Sequence, residues 1–303
     1  MLTQVHLLLT YQCTFECDHC FLYSSPFSEG TMTLRTVQQV LEEARKTGSV
    51  KWIYFEGGEP FLYYPLLLEG VKIARLAGFQ VGIVTNAYWA TSEEDAEIWL
   101  KPLQNLGLDY LSISDDSFHY GEAENNSAKR ALIAAQKLGL QTSSICISKP
   151  YVDEQPGQGQ GKGTPVIGGG AMFKGRAVEK LTGGLPRRPW RELNQCPHED
   201  LHSPSRVHVD PYGHVQACQG ISLGNMFEKP FSALLERYNV DSHPICALLA
   251  RGGPAALAEE NSVEPDNGYI DECHFCYLVR RALIDRFPKF LAPRQVYGLQ
   301  ANN

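Results

Sequence analysis

Apolar strands and amphipathic helices alternate along the first half of the chain. Short apolar runs predict strands over residues 5–9, 50–55, 80–84, 110–114 and 140–147. Helical spacing and polar N-caps predict helices after Thr33, over 62–76, after Ser92 and over 126–138. Such alternation with short links calls for parallel strands and right-handed crossovers. With a sixth strand at 165–167, the pattern predicts an α/β fold whose residues 1–185 form a partial (βα)6 TIM-like barrel.

The pattern changes in the second half of the chain. Residues 152–177 are rich in glycine and predict a mobile loop before the sixth strand and a helix start. Alternating residues at 206–210 and 214–217 predict a β-hairpin, and helices are expected near 231–238 and over 277–286. We therefore expect a second, small α+β domain over residues 186–303.

Polar motifs follow four of the predicted strands. They are a cysteine loop at residues 11–20, Gly57-Gly58-Glu59-Pro60, Thr85-Asn86-Ala87 and Asp115-Asp116. In parallel barrels the ligands gather at the carboxyl ends of the strands. The order along the chain thus predicts that these motifs share one rim.

The first cysteines are Cys13, Cys17 and Cys20, in C-x3-C-x2-C spacing. Thiolates are soft ligands that suit iron–sulfur clusters and zinc. Three cysteines without a nearby fourth would leave one iron of a [4Fe–4S] cluster open to another ligand. The alternatives are a zinc knuckle or three unrelated buried cysteines.

This loop together with the Gly57–Pro60 segment resembles the radical S-adenosylmethionine (SAM) superfamily. The resemblance implies that the open iron chelates SAM and that reduction yields methionine and a 5′-deoxyadenosyl radical. It also implies SAM contacts from residues at the ends of strands 1 to 4 and from the segment after the glycine-rich loop. These candidates are His19, Gly57, Gly58, Glu59, Asn86, Ser114 and Arg176. His19 stands where the family favours an aromatic residue, and Arg176 is either a SAM-carboxylate ligand or a solvated helix-start residue.

Later cysteines form a second set: Cys196, Cys218, Cys273 and Cys276. A hairpin that ends in cysteine, followed by Gly224-Asn225 and a late C-x2-C just before the last helix, resembles the twitch domain, the shorter relative of the SPASM domain. That resemblance implies a second, auxiliary [4Fe–4S] cluster; the alternative is a structural zinc site.

Two further cysteines, Cys146 inside a strand and Cys246 on an apolar helix, are expected to be buried small hydrophobic residues. If Cys246 is instead a ligand, Cys196 is the one it would replace.

Composition narrows the function classes. A net charge of −7 and a pI near 5.7 disfavour a nucleic-acid partner. No apolar run approaches about 18 residues, so no membrane partner is expected. The chain start lacks a basic signal-peptide region, and nine cysteines suit metal ligation in a cytoplasmic, anaerobic setting.

Side chains after the fourth strand are the candidates for proton or hydrogen transfer: Asp115, Asp116, His119 and Tyr120. The function expected from the resemblance is oxidation, crosslinking or epimerisation of a ribosomal peptide or protein side chain, with a flavodoxin- or ferredoxin-type reductant. Only 12 residues precede Cys13, so no fused peptide-recognition domain is expected before the barrel. The alternatives are dehydrogenation of a small cyclitol or sugar-like metabolite and, in another class, a zinc-stabilised non-catalytic binding protein.

Overall fold

The strands and helices of the computed structural model are described over residues 1–153 and 166–299. The strands are β1 (Gln4–Thr10), β2 (Trp52–Gly57), β3 (Gln80–Thr85), β4 (Tyr110–Ser114), β5 (Thr142–Ile145), β6 (Tyr151–Asp153), β7 (Val166–Gly168), β8 (Arg206–Val209), β9 (His214–Cys218) and β10 (Ile221–Asn225). The helices are α1 (Leu34–Thr47), α2 (Tyr64–Leu76), α3 (Glu93–Asn105), α4 (Ser117–Tyr120), α5 (Ser127–Lys137), α6 (Ala177–Lys180), α7 (Phe231–Glu236), α8 (Cys246–Glu260) and α9 (Glu272–Leu283). Short 3-10 helices cover Pro60–Tyr63, Trp190–Glu192, Val240–Ser242 and Arg294–Tyr297.

One sheet of eight strands organises the molecule. Its order is β10-β9-β8-β1-β2-β3-β4-β5. Strands β1 to β5 pair in parallel in chain order, and β8 adds in parallel to the other side of β1. The β8–β9–β10 meander is antiparallel. The expected α/β fold with a large parallel sheet is present, in agreement with a partial TIM-like barrel.

The prediction that residues 165–167 form the sixth strand of the barrel was wrong. Residues 166–168 form β7, which pairs antiparallel with β6 in a separate two-stranded sheet. The sixth parallel strand is β8, about 40 residues later in the chain. Apolar spacing shows that a segment is extended, but it does not show which edge of a sheet the segment joins. The glycine-rich loop predicted before this strand falls mostly on residues 154–165, outside the described residues.

Two helix starts agree with the predicted caps, Thr33 and Ser92, and a third helix is capped by Asn126, which was expected to be its first residue. The side chains of Thr33, Ser92 and Asn126 each accept a hydrogen bond from a backbone N–H in the first turn of α1, α3 and α5. A polar oxygen at this position satisfies one of the otherwise unpaired N–H groups of the first turn. The last predicted helix, in contrast, begins earlier than expected. Asp271 caps it through the His274 N–H, so both cysteines of the C-x2-C pair lie inside α9.

The two faces of the sheet differ in composition. On β1, Val5, Leu7 and Leu9 pack into the core beneath the helices. Leu8 points the other way and joins a second apolar cluster, which contains the buried rings of Tyr277 and Tyr297. Val207 and Val209 of β8 belong to the first core, so apolar packing crosses the predicted boundary at residue 185. Among the described helices, none has the length and apolar character needed to cross a membrane.

Candidate cofactor and cluster site

The cysteine loop lies directly on the segment that follows β2. The Gly58 N–H donates to the Thr10 carbonyl oxygen at 2.7 Å, and the Glu59 N–H donates to the Gln12 carbonyl oxygen at 2.9 Å. These two bonds extend the β1–β2 pairing beyond the end of the strands. They fix the start of the cysteine loop against the Gly57–Pro60 segment.

Both glycines are required by this close approach. A Cβ on Gly57 would lie 2.4 Å from the Thr10 carbonyl oxygen, and a Cβ on Gly58 would lie 2.0 Å from that of Gln12. Gly57 also has a φ of +126°, which side-chain-bearing residues rarely adopt. The end of β1 approaches Gly57 and the cysteine loop approaches Gly58, which is a local reason for the two glycines.

Glu59 is completely buried and bonded within the protein. Its carboxylate accepts hydrogen bonds from the Phe61 N–H at 3.0 Å, the Thr85 hydroxyl at 2.8 Å and the Asn86 N–H at 2.7 Å. Burial raises the pKa of Glu59 to about 7, against the opposing effect of these donors. Its carboxylate thus locks the end of β2 to the end of β3, and a SAM contact through the side chain stays a prediction.

Asn86 connects the end of β3 to the first cysteine. Its Nδ2 donates to the Cys13 sulfur at 3.4 Å and to the Thr14 hydroxyl at 3.1 Å. A hydrogen bond to a ligand sulfur is one of the ways in which a protein tunes an iron–sulfur cluster. The structure therefore brings Asn86 to the predicted cluster site.

Arg176 is a buried clamp on the same loop, so the expectation of a solvated helix-start residue was wrong. Its guanidinium donates to the Cys17 carbonyl oxygen at 2.7 Å and to the Ser24 carbonyl oxygen at 2.8 Å. It also lies over the Tyr23 ring at 5.1 Å. Because two of its donors already hold backbone carbonyls, a bidentate grip on a SAM carboxylate would require other N–H groups.

The three cysteines of the loop are poorly exposed thiols. Cys13 and Cys17 are buried, and Cys20 is half-buried and accepts a hydrogen bond from the Ser24 N–H at 3.3 Å. Burial raises the pKa of Cys13 to about 12 and raises that of Cys17 further. A bound cationic cluster would offset this cost, because metal ligation requires the thiolate.

Sulfur spacing tests the zinc alternative. A tetrahedral zinc with bonds of about 2.3 Å needs sulfurs about 3.8 Å apart. Among the described residues, neither cysteine set places three sulfurs within 4.8 Å of one another. Neither set, among the described residues, is therefore closed around a single ion in this arrangement.

A compact polar group stands beside the loop. His19, Asp116 and His119 have ligand-type atoms within 4.8 Å of one another. Asp116 is buried, caps α4 and accepts from His119 Nδ1 at 2.7 Å. Burial lowers the pKa of His19 to about 4, so its imidazole is neutral at pH 7. The His19 ring packs 4.7 Å from that of Phe118. Asp116 and His119 thus lie at the same rim as the cysteines, as predicted.

The other rim candidates have structural partners. Asp115 accepts from Asn126 Nδ2 at 2.9 Å, and the Tyr120 hydroxyl donates to the Asn86 carbonyl oxygen. Burial raises the pKa of Tyr120 above its usual range. Ser114 is the last residue of β4 and is half-buried. Ser114 and Asp115 lie at the carboxyl end of β4 and Tyr120 lies on α4, which follows it; a catalytic role for Asp115 or Tyr120 stays a prediction.

The second cysteine set also comes together. Cys218 ends β9, and Cys273 and Cys276 lie in the first turn of α9. One small cavity is lined by Cys196, Cys218, Cys273 and Cys276. Four residues separated by up to 80 positions in sequence therefore face one space, which agrees with a shared metal group.

Two buried cations border this cavity, and the sequence analysis did not identify either. Lys174 Nζ lies 3.2 Å from the Cys218 sulfur, and Arg280 contacts the Gln219 carbonyl oxygen at 2.9 Å. Both line the cavity and both are at most 3% exposed. Buried lysine and arginine are rare unless paired, and here the thiols of the second cysteine set line the same cavity. In the sequence, Lys174 is a basic residue among apolar ones, which is the pattern that could have indicated its burial. The spacing of apolar residues alone does not distinguish it from a surface lysine.

The two remaining cysteines, Cys146 and Cys246, differ in their burial. Cys246 begins α8 and is fully buried, as expected. It also lies in electrostatic range of Cys196, Cys218 and Cys276, and its thiol has a pKa raised to about 12 by burial. Cys146 follows β5 and is exposed, so the expected buried position was wrong. The strand ends at Ile145, two residues earlier than its apolar pattern suggested.

Comparisons with known proteins were made for sequence and for fold. The model of the Radical SAM superfamily matches residues 7–155. YydG from Bacillus subtilis (strain 168), a protein named for peptide biosynthesis, is 29% identical over 133 residues, 44% of this chain and 42% of YydG. The cofactor-modifying protein of the tungsten-containing aldehyde ferredoxin oxidoreductase from Pyrococcus furiosus is 34% identical over 113 residues, 37% of this chain and 30% of that protein. The chain thus matches less than half the length of each relative.

Among solved structures, BtrN in an open conformation superposes with a TM-score of 0.51 over 91% of this chain and 97% of BtrN, at 14% identity. BtrN in complex with AdoMet and 2-DOIA gives 0.50 over 78% and 83%, at 15% identity. At these identities the likeness concerns the fold, and it extends through both halves of the chain.

Proposed function

Because residues 7–155 of this chain match the model of the Radical SAM superfamily, we propose that the protein reductively cleaves SAM and uses the resulting radical to abstract a hydrogen atom from its substrate. The observation that carries this proposal is the cysteine loop. Cys13, Cys17 and Cys20 are held against the Gly57–Pro60 segment by two backbone hydrogen bonds, and Asn86 reaches the first sulfur. The same loop is clamped from the other side by Arg176.

Each residue of the site has a proposed role in binding the cluster or SAM. Cys13, Cys17 and Cys20 would hold a [4Fe–4S] cluster, which supplies an electron to SAM when both are bound. The buried Glu59 and Arg176 keep the two segments around the site in place. The backbone of Gly57 and Gly58, with Asn86, Ser114 and the neutral His19, would orient SAM. A flavodoxin- or ferredoxin-type protein is the proposed reductant.

An auxiliary cluster is proposed for the second cysteine set. Cys196, Cys218, Cys273 and Cys276 line one cavity, and Lys174 and Arg280 place positive charge beside it. A cluster with four thiolate ligands is anionic, and nearby cations and hydrogen bonds favour its bound and reduced forms. Such a cluster supplies a second redox centre, which oxidation of a substrate radical would use.

The proposed substrate is a ribosomal peptide or a protein side chain, modified by oxidation, crosslinking or epimerisation. Support comes from the similarity to YydG, whose name refers to peptide biosynthesis. The second candidate is dehydrogenation of a small cyclitol or sugar-like metabolite. The fold likeness to BtrN in complex with 2-DOIA, over 78% of this chain, is the observation that favours it. In either reaction the Asp116–His119 pair is the proposed group for moving a proton.

The intact cysteine triad beside the Gly57–Pro60 segment argues against a zinc-stabilised binding protein. Iron content distinguishes an iron–sulfur enzyme from a zinc protein. We expect about eight irons per chain after anaerobic reconstitution, falling to about four when Cys13, Cys17 and Cys20 are all changed to Ala. The matched control changes the exposed Cys146 to Ala and should keep all the iron. Electron paramagnetic resonance (EPR) spectra of the reduced proteins identify the cluster type. Zinc without iron in both proteins would refute the proposal.

Substrate class is tested with the reconstituted protein and an excess of SAM. Release of 5′-deoxyadenosine is measured with candidate precursor peptides and, separately, with cyclitols. Stimulation by a peptide together with a mass change in that peptide supports peptide modification. Stimulation by cyclitols alone would support the dehydrogenase reaction instead.

A further inference from the structure

Two histidines and a glutamate meet on the inner face of the sheet, on three neighbouring strands. His6 lies on β1, Glu56 on β2 and His208 on β8, with His6 directly opposite His208 in the register. Their side chains face away from the core beneath the helices. The prediction of chemistry from the sequence did not use any of the three.

Their polar atoms are within coordination range of one another. His6 Nδ1 lies 3.1 Å from one oxygen of Glu56, and His208 Nε2 lies 3.2 Å from the other. All three ligand-type atoms lie within 4.8 Å of one another. The side chains of His6 and Glu56 are 13% and 16% exposed and that of His208 is 5% exposed. The cluster is enclosed, but a small ion could reach it.

The neighbouring amides indicate which ring nitrogens carry protons. His6 Nε2 lies 3.3 Å from the Gln4 side-chain oxygen, which can only accept. The Nδ1 of His6 would then carry a lone pair, and it makes no hydrogen bond. His208 Nε2 lies 3.3 Å from the Gln219 side-chain nitrogen, which can only donate, so this nitrogen also carries a lone pair.

Both lone pairs therefore face a carboxylate, which is itself an acceptor. Acceptors 3.1–3.2 Å apart repel unless a cation or a proton lies between them. Protonating both rings would place two imidazolium groups with centroids 4.9 Å apart. One divalent cation would satisfy all three side chains at once.

We propose that His6, Glu56 and His208 form a binding site for a divalent cation of the zinc class on the inner face of the sheet. Two imidazoles and one carboxylate are a ligand set that zinc accepts, and three protein ligands leave a position for water or a substrate group. The Gln4 oxygen accepts from the outer nitrogen of His6, which is the second contact that ligating histidines usually make. The Nδ1 of His208 has no such partner.

The location gives the site a possible use in substrate binding. Glu56 immediately precedes Gly57, the first residue of the segment on which the cysteine loop rests. A cation here would lie just inside the rim where the cysteines are. It could bind a carboxylate or hydroxyl group of a substrate. The metal site itself does not depend on the proposed SAM chemistry.

The test counts zinc in the reconstituted protein. Protein with its cysteine sites filled with iron is equilibrated with Zn²⁺, desalted and analysed for zinc and iron by mass spectrometry. The variants are Glu56→Gln and His208→Gln, which preserve size, and the control is His202→Gln at an exposed histidine. Circular dichroism and iron content report whether each variant folds. The visible spectrum of Co²⁺-loaded protein separates nitrogen and oxygen ligands from thiolates.

The expected result is about one zinc per chain in wild type and in the His202 variant, with at least a fivefold loss in the other two at unchanged iron. The Co²⁺ spectrum should lack thiolate charge-transfer bands. Absence of zinc from wild type would show that protons, not a metal, join the three side chains. Equal zinc in wild type and the Glu56 variant would place the metal elsewhere and would also overturn the proposal.

Discussion

Replacing Gly58 with Ala should open the contact between the cysteine loop and the segment after β2. The new Cβ would lie 2.0 Å from the Gln12 carbonyl oxygen and 2.8 Å from that of Tyr11. Real Cβ atoms essentially never approach closer than 3.0 Å, so the loop would have to move by at least about 1 Å. Both neighbours are backbone atoms, which a side-chain rotation cannot move.

The energetic cost follows from the hydrogen bonds that this movement breaks. The bonds from the Gly58 and Glu59 N–H groups, now 2.7 and 2.9 Å long, would be stretched beyond useful length. Each buried backbone group left without a partner costs about 1–3 kcal/mol, so we expect Gly58→Ala to destabilise the fold by about 2–4 kcal/mol. Displacement of Cys13 should also remove the iron held by the first cysteine set.

The assay is urea unfolding of the reduced, metal-free protein, with iron content measured on a reconstituted sample. Gly183→Ala is the matched control, because its Cβ would meet no atom within 4 Å. We expect the control to stay within about 0.5 kcal/mol of wild type. A Gly58 variant as stable as the control, with full iron, would refute this account of the glycine pair.

Three further predictions concern buried polar residues. Lys174→Met should make reduction of the auxiliary cluster at least tenfold less favourable, or about 59 mV for one electron, in an EPR redox titration; an unchanged midpoint would mean that the lysine is only structural. Arg176→Lys should lose one of two carbonyl contacts and cost about 1.5–3 kcal/mol in urea unfolding, because these are charge-assisted hydrogen bonds. Burial raises the pKa of Asp210 to about 7, so its native form holds a proton that the unfolded chain releases. The stability it contributes is complete below about pH 4 and is lost as the pH rises toward 7. Asp210→Asn should flatten this part of the profile, and an unchanged slope between pH 4 and 7 would contradict it.

The sequence carried most of the information about where the rim lies. Strand ends follow from apolar runs, and Cys13, Glu59, Asn86 and Asp116 each come within a few residues of such an end. Parallel pairing in chain order then brings them together without further information. The spacing of apolar residues does not predict which strand an isolated strand will pair with, because pairing depends on contacts between distant segments. The strands β7 and β8 are the example.

The predictions from sequence mainly missed the polar residues that are buried inside the molecule. Lys174, His6 and His208 lie in stretches whose hydrophobic pattern treats any charged residue as exposed. Their burial depends on partners up to 200 residues away, such as Glu56 for His208. Arg176 shows the same limit, since its backbone-carbonyl contacts on the cysteine loop exist only after the chain has folded.

A buried carboxylate links the two cysteine sets through the centre of the sheet. Asp210, at the end of β8, accepts from the Tyr11 hydroxyl at 3.1 Å and from Gln216 Nε2 at 3.0 Å. Tyr11 stands two residues before Cys13, and Gln216 stands two residues before Cys218. Because β8 pairs with β1 in parallel, Tyr11 and Asp210 both follow the carboxyl ends of their strands, and Gln216 reaches Asp210 from the antiparallel strand β9. Any change that shifts one cysteine loop must therefore either move the other or break this network, so the positions of the two sites are mechanically coupled.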